Sequence, residues 1–222
     1  MKRVLSLVLV LALCLTVSAL SLTASADSAK VLNIALDGQP EHLDVTMSSM
    51  DMASEVVFGS VFEKLVAFNG DSQVIPELAE SWEVSDDNTV YTYHLRQGVL
   101  FHNGEELKAD DAVASMNRWI DAADNANSLV GGAHFTAVDD YTVRIVMENG
   151  TLYLNEMIAG LGQQAVIMPA SVINAVGEGE LVQEYIGTGP YVYSEWRADQ
   201  YIHLTANPDY QPYGTEGDYS GW

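Results

Sequence analysis

Residues 79–112 read AESWEVSDDNTVYTYHLRQGVLFHNGEELKADDA, and this stretch predicts a strand that leads into a helix. From residue 89 to residue 96 apolar and polar side chains alternate, and the apolar face consists of Tyr91, Tyr93 and Leu95. Alternation with a period of two is typical of a half-buried β-strand. The acidic residues just before it are predicted to form a turn into the strand, not a carboxylate site.

A helix is predicted from residue 108 to residue 122, because apolar residues recur there at helical spacing. The apolar stripe consists of Ala112, Met116, Trp119 and Ile120. Asp110 and Asp111 fall in the first turn, where negative charge complements the helix dipole. Trp119 could also stack on a ligand, but its place in the stripe favours the core.

Working outward from this stretch, the remaining chain mixes short strands and helices, which predicts an α/β fold. The apolar patterns predict strands at 31–36 and 165–168, helices at 54–68, 152–161 and 171–176, and hairpins at 135–147 and 191–206. Trp82, Tyr91, Tyr93 and Phe101 are expected to supply the core of a small sheet-and-helix unit.

Composition excludes several classes of protein. The chain has 222 residues, of which 48% are hydrophobic, and this content is too high for a disordered chain. The 31 acidic residues against 9 basic ones give a formal net charge of −22. A charge of this sign argues against nucleic acid or an anionic membrane surface as a partner.

The first 26 residues have the three-part pattern of a secretory signal peptide. Lys2 and Arg3 precede an apolar run over residues 4–15, and residues 24–26 form a small-x-small site. Cleavage after Ala26 is the prediction, and an uncleaved anchor helix is the alternative. The only cysteine, Cys14, would leave with this segment, so disulfides, thiolate metal sites and cysteine nucleophiles are excluded from the secreted chain.

No enzyme signature is found in the sequence. The histidines are scattered as His42, His94, His102, His134 and His203, and no pair has the spacing of a helical zinc site. The turn at 187–190 lacks the lysine of a phosphate-binding loop, and its proline removes an N–H donor. We therefore expect a protein that is not an enzyme and that uses no cofactor or metal.

Several motifs together resemble the family 5 extracellular solute-binding proteins, the receptors of ATP-driven importers for peptides, nickel chelates and some sugars. They are Leu43-Asp44, the blocks within residues 79–112, Gly187-Thr188-Gly189-Pro190-Tyr191 and Asn207-Pro208-Asp209-Tyr210. The departures are small: Lys108 stands where the family often has Thr, and Val45 where it often has Pro.

The resemblance implies a fold of the type II periplasmic-binding-protein kind, of which this chain would form the first lobe with its inserted subdomain. The implied divisions are a signal peptide at 1–26, the main-sheet part of the lobe at 27–61 and 185–222, and the inserted α/β subdomain at 62–184. In the family a second lobe closes over the ligand. The chain stops just after the Asn-Pro-Asp-Tyr motif, and we expect it to be a fragment without that lobe.

The resemblance places ligand contacts on loops that border the cleft. The first candidate loop spans residues 47–52, with Ser48, Ser49, Met50 and Asp51 as contacts, although its methionines could equally pack inward as a lead-in to a helix. The loops at 125–129 and 160–164 match by position and contribute Asn127, Ser128, Gly162 and Gln163. None of these loops contains Lys or Arg, so a peptide or a neutral or cationic solute is favoured over a polyanion.

The predicted function is that of the substrate-binding component of an ABC importer. It would capture peptides or similar small solutes outside the cytoplasmic membrane, as a periplasmic or cell-surface protein that is not membrane-embedded, and deliver them to a membrane permease. A secreted interaction or chemoreceptor module is the first alternative. A secreted hydrolase is the second, and it would need a catalytic constellation that the sequence does not contain.

Overall fold

The computed structural model describes residues 30–36, 38–47, 59–160, 164–210 and 212. The contacts of the chain divide it after Ala35, and everything below from Leu36 onward concerns the second unit. The predicted strand at 31–36 is wrong, because residues 30–36 contain no helix or strand. A strand requires a hydrogen-bonded neighbour, and no described strand pairs with this segment.

A four-stranded antiparallel sheet forms the centre of the larger core, with the strand order β3-β4-β6-β5. Its strands are β3 (Ala79–Val84), β4 (Val90–Leu95), β5 (Phe135–Asp139) and β6 (Thr142–Val146). The β4 side chains alternate between buried and half-buried, as predicted. Tyr91 lies opposite Ile145 and Tyr93 opposite Val143, so the buried faces of neighbouring strands coincide.

Helix α1 (Ala109–Ala122) covers the buried face of this sheet. Its predicted stripe is buried, and Trp119 is only 1% exposed, which confirms that this side chain belongs to the core. The Asp111 carboxylate accepts hydrogen bonds from the backbone N–H groups of Lys108 at 2.8 Å and Ala170 at 2.7 Å. One side chain thus stabilises the start of α1 and attaches it to a distant segment.

The predicted helix at 54–68 is wrong at its end. Residues 59–61 are helical, but β1 (Val66–Phe68) pairs antiparallel with β2 (Val74–Pro76). The Asn69 side chain accepts hydrogen bonds from the N–H groups of Asp71 and Gln73 and so stabilises the connecting turn. Turn chemistry and pairing therefore outweigh the helical spacing of the apolar residues.

The other short elements differ less from prediction. Helices α2 (Asp124–Val130), α3 (Leu154–Ala159) and α4 (Ala170–Ile173) follow α1, and α4 is only one turn long. The predicted strand at 165–168 reduces to a single bridge between Val166 and Lys64. The predicted hairpin near the end of the chain is present as β7 (Tyr191–Arg197) and β8 (Tyr201–Ala206).

The buried apolar residues form two clusters. The first lies between the four-stranded sheet, α1, α2 and α3, and includes Tyr93, Trp119 and Phe135. The second gathers segments that are remote in sequence, and its members are Leu43, Val45, Val61, Phe62, Val166, Met168, Val172, Ile173 and Val182. The β7–β8 hairpin packs on this second cluster. The domain boundaries implied by the family resemblance stay predictions.

His102 joins the two cores. Its ring Nδ1 accepts a hydrogen bond from the Gly187 N–H at 3.3 Å, and its Nε2–H donates to the Gly189 carbonyl at 3.0 Å. The bond to Nδ1 requires the neutral ring, and burial lowers the pKa of His102, although the bond to the Gly189 carbonyl acts in the opposite direction. Gly187 approaches Val61 so closely that a Cβ would collide with the Val61 carbonyl, which explains why glycine stands there.

Candidate ligand-binding site

Most of the predicted contacts lie outside the described residues. These are Ser48, Ser49, Met50, Asp51, Gly162 and Gln163. The structure does describe the residues beside them, from Leu43 to Met47 on one side and Gly160 and Gln164 on the other. Asn127 and Ser128 are also described, and both side chains are exposed.

The predicted loop at 125–129 is wrong, since these residues belong to helix α2. Ala126 and Val130 are four positions apart and bury one face of α2 in the first core. Gly131 ends the helix in the left-handed conformation, with φ of 64°. Asn127 and Ser128 therefore stand on the exposed side of a short helix, and α2 packs against α3, which leads into Gly160.

The flanks of the two remaining candidate loops meet directly. The Gln164 N–H donates to the Val45 carbonyl at 3.2 Å, and the Thr46 hydroxyl donates to the Gln164 carbonyl at 3.1 Å. We call these three residues the 46–164 junction. Thr46 and Gln164 are 118 positions apart in the chain, so only the tertiary fold brings the two flanks together.

A buried ion pair anchors the junction on the side of residue 45. The Asp44 carboxylate accepts hydrogen bonds from two nitrogens of Arg118, at 3.0 and 2.5 Å, and from the Val182 N–H at 2.9 Å. Arg118 also donates to the Glu180 carbonyl at 3.0 Å. The Asp44 side chain is fully buried, and these bonds compensate for the loss of its hydration.

A buried lysine anchors the other side. The Lys64 ammonium donates to the carbonyls of Ala159 at 2.6 Å and Gly160 at 3.2 Å, at the end of α3. A cation at this position complements the helix dipole and the free terminal carbonyls. Burial lowers the pKa of Lys64 to about 8, although the nearby Glu77 carboxylate acts in the opposite direction.

The polar side chains of this region are either neutral or already paired. The cations next to the junction are already engaged, Arg118 with Asp44 and Lys64 with backbone carbonyls. What the junction adds is neutral polar chemistry, a hydroxyl at Thr46 and a carboxamide at Gln164. A ligand carboxylate or phosphate therefore finds no available counter-ion among these residues, whereas neutral and cationic groups are compatible.

Sequence reasoning missed Thr46, Lys64 and Arg118, and gave Gln164 only as the end of a candidate loop. Asp44 was noted as part of the Leu-Asp pair, but its partner could not be read from the sequence. The available signal was weak. A single Lys or Arg within an apolar pattern indicates a buried or paired charge, without identifying its partner.

A second concave region lies between the turn at 97–100 and the turn at 207–210, with a volume of about 560 Å³. Thr188 and Tyr210 line it, and the Tyr210 hydroxyl donates to the buried Glu63 carboxylate at 3.1 Å. Burial raises the pKa of Glu63 to about 7, and the Glu77 carboxylate acts in the same direction. Asn127 and Ser128, the two predicted contacts within the described residues, do not line this cavity.

Two features are absent from the described part of the chain. No cluster of three or more His, Cys, Asp or Glu side chains there is arranged to hold a metal ion. None of the helices found there combines the length and the apolar character needed to cross a membrane.

Solved structures define the class of protein to which this fold belongs. The chain superposes with a TM-score of 0.71 and 28% identity on NikA from Brucella suis in complex with Fe(III)-EDTA, covering 85% of this chain and 37% of that one. It superposes with a TM-score of 0.67 and 26% identity on the periplasmic binding protein DppA from Helicobacter pylori in complex with the peptide STSA, covering 80% and 39%. The fold is that of a type II periplasmic binding protein, and this chain corresponds to 37–39% of each of the two solved structures.

Sequence comparison then identifies the family. The protein-family model described as "Bacterial extracellular solute-binding proteins, family 5 Middle" matches residues 73–218 of the sequence. The chain belongs to this family. It is 34% identical to "Di/tripeptide-binding protein 4" of Pseudomonas aeruginosa (strain UCBPP-PA14), over 94% of this chain and 42% of that protein. The chain thus spans about two fifths of the length of this relative.

Proposed function

We propose that this chain is part of the substrate-binding component of an ABC importer, which captures peptides or similar small solutes outside the cytoplasmic membrane and delivers them to a permease. The observation that carries the proposal is the 34% identity to a di/tripeptide-binding protein across 94% of the chain. The secretory pattern of residues 1–26 is compatible with this location, and the signal peptide stays a prediction.

Binding, and not catalysis, is the activity that the junction supports. Its polar side chains are a hydroxyl, which donates to the Gln164 backbone carbonyl, and the Gln164 carboxamide. Both groups can position a ligand but are poor general acids or bases. The relatives are named as binding proteins as well. Neither the hydrolase nor the interaction module has support among them.

The ligand site is proposed to lie at the 46–164 junction and to extend to Asn127 and Ser128 on α2. Support comes from the bonds that join the junction and from the exposure of the two α2 side chains. The contacts expected at Ser48, Ser49, Met50, Asp51, Gly162 and Gln163 stay predictions. We propose peptides with neutral or cationic side chains as ligands, because the nearby cations are engaged and the chain carries a net charge of −22.

The mechanism we propose is closure of two lobes over the ligand, of which this chain forms part of the first. The matched relatives are more than twice as long as the matched region, which leaves room for a second lobe in them. Ligand would stabilise the closed form through contacts that exist only in that form. Residues 30–212 alone are therefore expected to bind peptide weakly.

Calorimetry on the complete substrate-binding protein, of which we propose this chain is a part, tests this function. The panel contains alanyl-alanine, alanyl-lysine, alanyl-glutamate and trialanine, and we expect saturable binding with alanyl-glutamate as the weakest ligand. Asn127→Ala and Ser128→Ala should weaken binding several-fold, whereas Asn174→Ala, on an exposed residue just after α4, should not. Failure of the wild-type protein to bind any member of the panel would overturn the proposal.

A further inference from the structure

The Gln164 side chain has a buried acceptor atom that no other described residue uses. Gln164 is only 3% exposed, and its Oε1 has no hydrogen-bond partner among the described residues. Its backbone N–H and carbonyl are both engaged, with Val45 and Thr46 respectively. The carboxamide oxygen is thus an acceptor at the junction that has no partner within the described part of the chain.

An unpaired acceptor in this position is costly and therefore informative. A buried polar atom without a partner destabilises the folded state, because it loses its hydration without gaining a hydrogen bond, and such atoms are few in native proteins. The surroundings of Gln164 are not loosely packed. Residue 164 is held through Val45 and Thr46, and Lys64 holds the segment before it through the carbonyls of Ala159 and Gly160.

We infer that the Gln164 carboxamide is a ligand contact, whose Oε1 accepts a hydrogen bond from an N–H donor of the bound solute. This inference rests on the proposed function and makes it more specific. A peptide carries two donors of this kind, its terminal ammonium group and its backbone amide N–H. A neutral carboxamide accepts from either donor, and it adds no charge that would repel a peptide carboxylate.

Gln164→Met is the decisive variant, because methionine has a similar length and lacks polar hydrogen-bonding groups of comparable strength. If Oε1 is unpaired without ligand, its removal costs the free protein nothing, and we expect an unchanged or raised melting temperature. Binding of alanyl-alanine should nevertheless weaken about tenfold, as expected for one lost hydrogen bond. Gln183→Met, on an exposed side chain, is the matched control and should change neither quantity.

The donor is identified with two modified peptides. One carries a methyl group on the peptide nitrogen and the other an acetyl group on the amino terminus. The donor is the group whose modification weakens binding to the wild-type protein but not to Gln164→Met, since the variant has already lost that bond.

The outcomes separate the two proposals. If the wild-type protein binds no peptide, the proposed function is overturned, and the role of Gln164 falls with it. If the wild-type protein and Gln164→Met bind alanyl-alanine equally well, only the role of Gln164 is overturned. A lower melting temperature of Gln164→Met with unchanged affinity would likewise overturn it, because the side chain would then serve the fold.

Discussion

Arg118 holds the Asp44 carboxylate with two guanidinium nitrogens, at 3.0 and 2.5 Å, across 74 positions of the chain. The pair connects helix α1 with the segment that leads to Thr46, and the Val182 N–H completes the coordination of Asp44. A fully buried carboxylate with three donors is a structural anchor for the 46–164 junction. The position of the proposed ligand site therefore depends on a residue that need not touch the ligand.

Breaking this pair is expected to be strongly destabilising. Asp44→Asn leaves the Arg118 guanidinium without its counter-ion in a site where only 11% of its side chain is exposed. We expect the free energy of unfolding to fall by about 3–5 kcal/mol, measured by urea denaturation. Glu195→Gln, which breaks the exposed pair with Arg197, is the control and should leave the urea midpoint unchanged. Equal effects of the two variants would contradict the anchoring role of Asp44.

The close approach of Gly187 to Val61 predicts a steric effect. Gly187→Ala places a methyl group against the Val61 carbonyl and forces the joint between the two cores apart. We expect a loss of about 1–3 kcal/mol in the free energy of unfolding. At Gly70 an added Cβ meets no atom within 4 Å, so Gly70→Ala should be neutral. A neutral Gly187→Ala would show that the turn shifts freely.

The raised pKa of Glu63 predicts that the contribution of this residue to the free energy of unfolding falls as the pH rises. Its folded-state pKa of about 7 lies above the ordinary value of 4.5, so the folded state prefers the protonated acid. This contribution is complete below pH 4.5 and is lost as the pH rises through 7. Glu63→Gln keeps a neutral side chain at every pH. The free energy of unfolding of this variant, relative to that of the wild-type protein, should therefore rise by about 3 kcal/mol from pH 4 to pH 8.

Urea midpoints at several pH values test this dependence on Glu63. The control is Glu184→Gln, which removes a carboxylate from an exposed position. Its pH profile should run parallel to that of the wild-type protein. A profile of Glu63→Gln that is also parallel would show that Glu63 titrates normally in the folded protein.

The lowered pKa of His102 predicts that the protein loses stability in the acid range. The folded state lowers the pKa of His102 below the ordinary value of 6.5, chiefly through burial. Stability from the neutral ring is therefore present above pH 6.5 and is lost as the pH falls through the lowered folded-state value. Protonation of Nδ1 also removes the acceptor for the Gly187 N–H, so the protection of the Gly187 amide, measured against the exchange rate of an unstructured peptide at the same pH, should fall in acid.

The role of His102 is tested with His102→Leu. The matched control is His203→Leu, which replaces an exposed ring. His102→Leu should be less stable than the wild-type protein at pH 7.5, and the difference should shrink toward pH 5, where the wild-type ring becomes charged. His203→Leu should show neither effect. A difference for His102→Leu that stays constant with pH would show that folding does not lower the pKa of His102.

Elements with a distinct pattern within their own residues were predicted correctly from the sequence. The strand at 90–95 has a clean alternation, and both long hairpins have turn residues between alternating segments, so these elements were predicted correctly. The helix at 109–122 combines an apolar stripe with acids in its first turn and was also correct. At 66–68 the prediction rested on apolar spacing alone, and at 125–129 on a position in the family resemblance alone, and both predicted elements were wrong.

The sequence by itself determined the family, the main sheet-and-helix unit and the absence of an enzyme motif, because each of these is written in contiguous residues and their spacing. Only the tertiary structure decided that Arg118 pairs with Asp44, that Lys64 binds the terminal carbonyl of α3 and that Thr46 contacts Gln164. These contacts join residues 74, 95 and 118 positions apart. No local pattern encodes such partners, since burial of the two cores selects them when the chain folds.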